Sequence, residues 1–97
     1  MMAILIDPPT WPAHGTTFSH LVSDVSHDEL HDFAARAGVS PRAFDRDHYD
    51  VPAQMYDRLV GMGAVPVRSR DLVQRLIASG LRRRKHQWPA TRNLTRG

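Results

Sequence analysis

A helix bracketed at both ends is the feature that most limits what this chain can become. Ser26-His27-Asp28-Glu29 is a capping box, in which the serine hydroxyl caps the Glu29 amide and Glu29 reaches back to the cap residue. Leu30, Phe33, Ala34 and Ala37 follow at i, i+3, i+4 and i+7 and make one apolar stripe, and Gly38 supplies the left-handed residue that ends the helix. A helix with a single apolar stripe needs another element to bury it, and short strand-like runs lie on both sides of it in the chain.

The first run, Ala3 to Ile6, is continuously apolar, which fits a strand covered on both faces. Asp7-Pro8-Pro9 stops it, because proline cannot donate to a sheet ladder, so Asp7 is expected at the strand's C-terminal end. Residues 8–17 carry three prolines, Trp11, His14 and Gly15 without a period and read as a long covering or functional loop, with Trp11 folded back onto the body. Phe18 to Ser23 reads as a second strand ending at Asp24. After the helix, a strand from about Ala43 turns into Pro52, which suits the first turn of a helix whose buried side is Met55, Leu59, Val60 and Met62. Gly61 and Gly63 close that helix before a strand at 64–67, where Pro66 indicates an edge or bulged position. Ser69 is expected to cap a third helix, with Asp71 at its positive end, Leu72, Val73, Leu76 and Ile77 on one face, and Gly80 as its stop.

The order strand, strand, helix, strand, helix, strand, helix predicts an α/β fold, a small single domain over residues 3–81 with a partly parallel sheet. A chain of 97 residues supports one core. The absence of cysteine removes disulfides, thiolate nucleophiles and thiolate metal ligands, so any metal must be held by His, Asp or Glu. Ala3 to Ile6 is far shorter than the apolar core of a signal peptide, and a cytoplasmic location is expected. Charge is divided unevenly. Residues 1–81 hold seven Arg against ten Asp and Glu, a balance of −3, whereas 82–97 hold six Lys and Arg and no acid, a balance of +6. The basic pI therefore belongs to a C-terminal tail and does not make the domain a basic nucleic-acid surface.

The chemistry concentrates in Phe44-Asp45-Arg46-Asp47-His48-Tyr49-Asp50-Val51-Pro52, which is too polar for an ordinary core strand. If the strands are parallel, Asp7, Asp24 and His48 to Asp50 share the strand ends where open α/β sheets place ligands. Imidazoles and carboxylates together can bind a divalent ion such as zinc or manganese, since each donates a lone pair and the carboxylates offset the ion's charge. The ligand candidates are His20, Asp24, Asp7 and His31, with His48, Asp50 and Tyr49 as the catalytic set. The same groups could act without metal, His as general base and Asp orienting it, or could bind a phosphate or sugar with Arg46 as a donor. Against these stands a structural reading, in which Asp45, Asp47 and Asp50 form surface ion pairs with Arg42 and Arg46. His27 and His31 stand i, i+4 and could share an ion, although that spacing is common among solvated residues. Asp45-x-Asp47 lacks the glycine and distal glutamate of a calcium loop.

Ile4-Leu5-Ile6-Asp7, Ser19-His20-Leu21-Val22-Ser23-Asp24, Glu29-Leu30-His31, His48-Tyr49-Asp50 and Gly63-Ala64-Val65 together resemble the domain of unknown function 4031 family of small bacterial and phage proteins. The resemblance covers roughly residues 3–80 and implies a signature at Asp7, His20, Asp24, Glu29, His31, His48, Tyr49 and Asp50. It lends no activity. Two functions follow from the residues themselves. One is a metal-dependent or acid/base hydrolase of an anionic small molecule. The other is a non-enzymatic adaptor that binds nucleic acid, weakly and without sequence preference, or an acidic partner, through Arg82, Arg83, Arg84 and Lys85 in the tail.

Overall fold

The computed structural model describes residues 3–82. Six strands and three helices follow one another as β1 (Ile4–Ile6), β2 (Trp11–Ala13), β3 (Thr16–Ser23), α1 (His27–Ala37), β4 (Phe44–Asp45), β5 (His48–Pro52), α2 (Tyr56–Gly61), β6 (Val65–Pro66) and α3 (Ser69–Ala78). The sheet runs β4-β5-β3-β1-β6, and β2 pairs with β3 beside β1. Only β1 and β6 are parallel, with Leu5 opposite Val65, while β1–β3, β2–β3, β3–β5 and β4–β5 are antiparallel. The chain is thus a small α/β domain built on a mixed sheet.

Strand alternation divides the core into two layers. Ile4, Ile6, Leu21, Tyr49 and Val51 point to one face, where Leu30, Phe33, Ala34 and Ala37 of α1 and Leu59 of α2 cover them. Leu5 and Val22 point to the other and are covered by Leu72 and Leu76 of α3. The stripe of α1 is buried as its spacing predicts, and Phe33 is only 3% exposed. By the same alternation Asp7, His20, His48 and Asp50 all fall on the α3 face, and this shared face is what assembles the site.

The caps differ in part from their sequence reading. Ser26 Oγ accepts from the Glu29 amide at 3.0 Å, and Gly38 ends α1 at φ 83°. Glu29, however, does not close the box on Ser26; its carboxylate accepts from Ser23 Oγ at 2.5 Å, and that oxygen accepts in turn from the Val25 and Ser26 amides. Ser69 does not cap α3 either. It is the first residue of that helix, and its hydroxyl donates to Asp7 Oδ2 at 2.8 Å. Residues 8–17 are not a featureless loop, because β2 turns through His14 (φ 48°) and Gly15 (φ 80°) into β3. Three prolines hid this hairpin, yet Pro12 is tolerated on an edge strand.

Candidate metal centre

Two histidines on neighbouring antiparallel strands form the centre of the site. His20 on β3 lies directly opposite Asp50 on β5, and the His20 and His48 rings stand edge to face with centroids 5.1 Å apart. His48 Nε2 is 3.3 Å and His20 Nε2 3.9 Å from the same oxygen, Asp50 Oδ1. One ligand atom from each of the three residues lies within 4.8 Å of the other two. Ligands around a single ion at bond lengths of about 2.0–2.2 Å sit roughly 3.5 Å apart, so a set within 4.8 Å needs a closure of about 1.3 Å at most.

Each ring is held from behind by a buried acid. His20 Nδ1 lies 2.9 Å from Asp7 Oδ2, while Asp7 Oδ1 accepts from the His20 amide at 2.6 Å. Asp7 is fully buried. Burial by itself would raise its pKa, but the bonds from His20 and Ser69 outweigh burial and hold the carboxyl below the usual range. An ionised carboxylate only accepts hydrogen bonds, so His20 Nδ1 carries a proton and donates it to Asp7, and Nε2 is the ring atom turned toward Asp50. Asp47 does the same for His48, with Nδ1 to Oδ1 at 2.8 Å. Arg82 clamps Asp47 through Nε at 2.7 Å and Nη2 at 3.0 Å. Burial opposes ionisation of Asp47 too, and is overcome by the hydrogen bonds from His48 and Arg82 and by the Arg82 charge, which hold Asp47 well below the carboxylate range. For His48, burial of the ring disfavours protonation, but the bond to Asp47 and the charges of Asp50, Asp47 and Asp45 prevail and raise its pKa.

The result is one chain of contacts, Ser69–Asp7–His20–Asp50–His48–Asp47–Arg82. Its two supporting acids are buried and its middle is open, since the Asp50 side chain is 46% exposed against 0% for Asp7 and 10% for Asp47. Histidine that ligates a metal through one nitrogen usually donates the other N–H to a carboxylate, which fixes the tautomer and strengthens the donor. Both rings here have that support.

The family model described as "Protein of unknown function (DUF4031)" matches residues 4–79. The chain belongs to the DUF4031 family. The matched segment holds Asp7, His20, Asp47, His48, Asp50 and Ser69, and ends before Arg82. No curated protein and no solved structure matches the chain.

Several of the residues expected at this site lie elsewhere in the DUF4031 fold. Asp24 follows β3, which runs antiparallel to β1, so it sits at the opposite end of the sheet; it accepts from the Ala3 amide at 2.7 Å and from Arg75 at 2.7 Å. The expectation that it joins His20 assumed parallel strands. His31 and Tyr49 belong to the other face, where His31 Nδ1 and Tyr49 Oη share a 2.7 Å hydrogen bond beside Phe44. Tyr49 is 3% exposed, and burial pushes its phenol above the ordinary range. Asp47 is no surface acid, being 7% exposed. Arg82, expected in a free basic tail, is tied to Asp47, whereas Arg83, Arg84 and Lys85 lie outside the described residues. Sequence reasoning missed Asp47, Ser69 and Arg82 as supports. For Asp47 the signal was its direct adjacency to His48; for Ser69 and Arg82, 62 and 35 residues from the acids they hold, no local signal existed. Among the described residues no helix is long and apolar enough to cross a membrane.

Proposed function

We propose that the domain binds one divalent cation through His20 Nε2, His48 Nε2 and Asp50 Oδ1, and that it serves in the cytoplasm as a metal-dependent hydrolase of an anionic small molecule. The observation that carries the reading is the pair of acids behind the rings, Asp7 at 2.9 Å from His20 Nδ1 and Asp47 at 2.8 Å from His48 Nδ1, which directs both Nε2 atoms to one point. Metal-free general base chemistry needs one such His–Asp pair; two of them converging on a shared half-exposed carboxylate suit ligation. With both rings ligating as neutral imidazoles, the three ligands and a divalent ion would carry a net +1, which the ionised Asp7 and Asp47 together with Arg82 bring to zero, so an anionic group would be drawn by direct coordination to the ion at its remaining positions. Bound there, the ion would supply Lewis acidity and lower the pKa of a coordinated water. Asp7 and Asp47 would hold the ring orientations, and Arg82 would keep Asp47 ionised.

Zinc and manganese are the metals to test first, and the donor set also fits ferrous iron. Calorimetry on dialysed full-length protein should show uptake of one equivalent of zinc, with His48→Ala losing at least about ten-fold in affinity. Chemical denaturation of apo His48→Ala should show a loss limited to about 1.5–3 kcal/mol from the charged bond to Asp47, because His48 lies outside both core clusters. Loaded protein should then hydrolyse a chromogenic aryl phosphate. Protein that takes up none of the three metals, or His20→Ala and His48→Ala variants that bind as the parent does, would refute the metal centre.

A further inference from the structure

We propose that Trp11 forms a recognition wall for this centre, and that the anion it takes carries a flat ring, a nucleobase or an aryl group joined to a phosphate or carboxylate. The inference rests on the metal-centre reading and adds the substrate class to it. Among the described residues Trp11 is the most exposed of the large apolar side chains, at 51%. Its ring nevertheless packs beside a proposed ligand, with the indole and His20 centroids 5.1 Å apart at an interplanar angle of 64°.

The strand register explains why the indole lies there. Trp11 on β2 is directly opposite Phe18 on β3, and directly opposed residues share a face. Phe18 and His20 are two residues apart on β3 and point the same way. Across the other edge of β3, Phe18 faces Pro52 and His20 faces Asp50. One face of the sheet therefore steps from an apolar row, Trp11–Phe18–Pro52, to a polar row, His20–Asp50, within a single two-residue repeat. Helix α3 packs on Leu5 and Val22, toward the far end of that face, so the apolar row is the part next to the ligands that remains partly open.

This layout selects a ligand with two parts. An anionic group can take the open positions of an ion held by His20, His48 and Asp50. A ring one group away then falls over the indole, where stacking removes apolar surface from water and aligns complementary quadrupoles. A small anion without a ring fills the first part and leaves the indole exposed. An aliphatic chain would cover the indole without the quadrupole contribution that a ring supplies.

The test uses zinc-loaded full-length protein and a pair of non-hydrolysable probes, phenylphosphonate and methylphosphonate, with affinities read by calorimetry at saturating zinc. Phenylphosphonate should bind at least about five-fold more tightly than methylphosphonate. Trp11→Ala should bring that ratio close to one, and Trp11→Phe, which keeps a ring, should retain most of it. Equal affinities in the parent, binding of neither probe, or a Trp11→Ala variant that keeps the preference would overturn the role of Trp11 and leave the metal centre standing. Failure of the parent to take up zinc would overturn both. Because the ratio in the parent already decides the ring preference, the result does not hang on the folding of one variant.

Discussion

Replacing Asp7 by asparagine changes one heavy atom in a fully buried side chain and should disable a proposed ligand atom, His20 Nε2, that it never touches. Asp7 Oδ1 accepts from the His20 amide at 2.6 Å, and Oδ2 accepts from both His20 Nδ1 at 2.9 Å and Ser69 Oγ at 2.8 Å. Asparagine offers one acceptor oxygen and an NH2 group. If the oxygen keeps the backbone N–H, the NH2 faces His20 Nδ1, which must then give up its proton and accept. The proton moves to Nε2, the atom that points toward Asp50. Ser69 can adapt by rotating its hydroxyl, but the imidazole cannot ligate through a protonated Nε2.

Two magnitudes follow. Loss of an outer-sphere carboxylate typically costs about 10–100-fold in metal affinity, which is roughly 1.4–2.8 kcal/mol. Loss of charged hydrogen bonds in a buried site should also lower folding stability, by about 1.5–3 kcal/mol. Zinc titration calorimetry reads the first, and denaturant unfolding of the apo protein reads the second. Two-bond proton–nitrogen correlation spectra read the cause directly: His20 should be the Nδ1–H tautomer in the parent and the Nε2–H tautomer in Asp7→Asn. A variant that shows the Nε2–H tautomer and still binds zinc like the parent would refute ligation through Nε2. A variant that keeps the Nδ1–H tautomer would refute the claim that Asp7 sets it.

Two further outcomes test the far ends of the structure. Arg82→Ala should weaken zinc binding by up to about ten-fold, with Arg82→Lys restoring only part of it, because a lysine ammonium cannot reproduce the two-pronged contact on Asp47; calorimetry on both variants checks this, and parent-like affinity in Arg82→Ala would show the clamp to be idle. Asp24→Asn should cost about 1–3 kcal/mol at neutral pH in urea unfolding. Burial would raise the Asp24 pKa, but the Ala3 amide and Arg75 lower it overall, so its contribution is present above the unfolded value of about 3.9 and is lost as pH falls through the depressed folded value. The gap between parent and variant should therefore shrink in strong acid, and a gap independent of pH would contradict the ion pair with Arg75.

The helices were legible because their signals are local. Ser26, the Leu30–Ala37 stripe and Gly38 all lie within one short segment, and each does what its spacing implies. Strand direction was not legible, since Ala3–Ile6 and Phe18–Ser23 read alike whether they pair parallel or antiparallel. That single ambiguity decided Asp24: with β3 reversed, His20 stays beside Asp7 while Asp24, four residues on, is carried to the start of β1. Alternation likewise separates Tyr49 from its neighbours His48 and Asp50, so a run that looked like one catalytic triplet supplies two residues to one face and one to the core. Side-chain supports that arrive from distant segments, Ser69 and Arg82, were beyond any local reading.

The structural explanation of the histidine cluster, ion pairs that stabilise the sheet, meets an energetic difficulty. Taking a carboxylate out of water costs several kcal/mol, and well-packed apolar residues often replace a buried ion pair at no loss of stability. Asp7 lies beside Leu5 and Ile6, whose side chains are fully buried, and one of its oxygens has the structural task of accepting from the His20 amide, which an uncharged asparagine could perform as well. The chain instead places a charge there, secures it with Ser69 from α3, and repeats the arrangement at Asp47 with Arg82. In both cases the buried acid holds Nδ1 of a ring whose other nitrogen faces a half-exposed carboxylate. A stabilising ion pair would need only the buried half of each contact. The fixed orientation of the outer half, twice over and toward one oxygen, is what a ligand set requires.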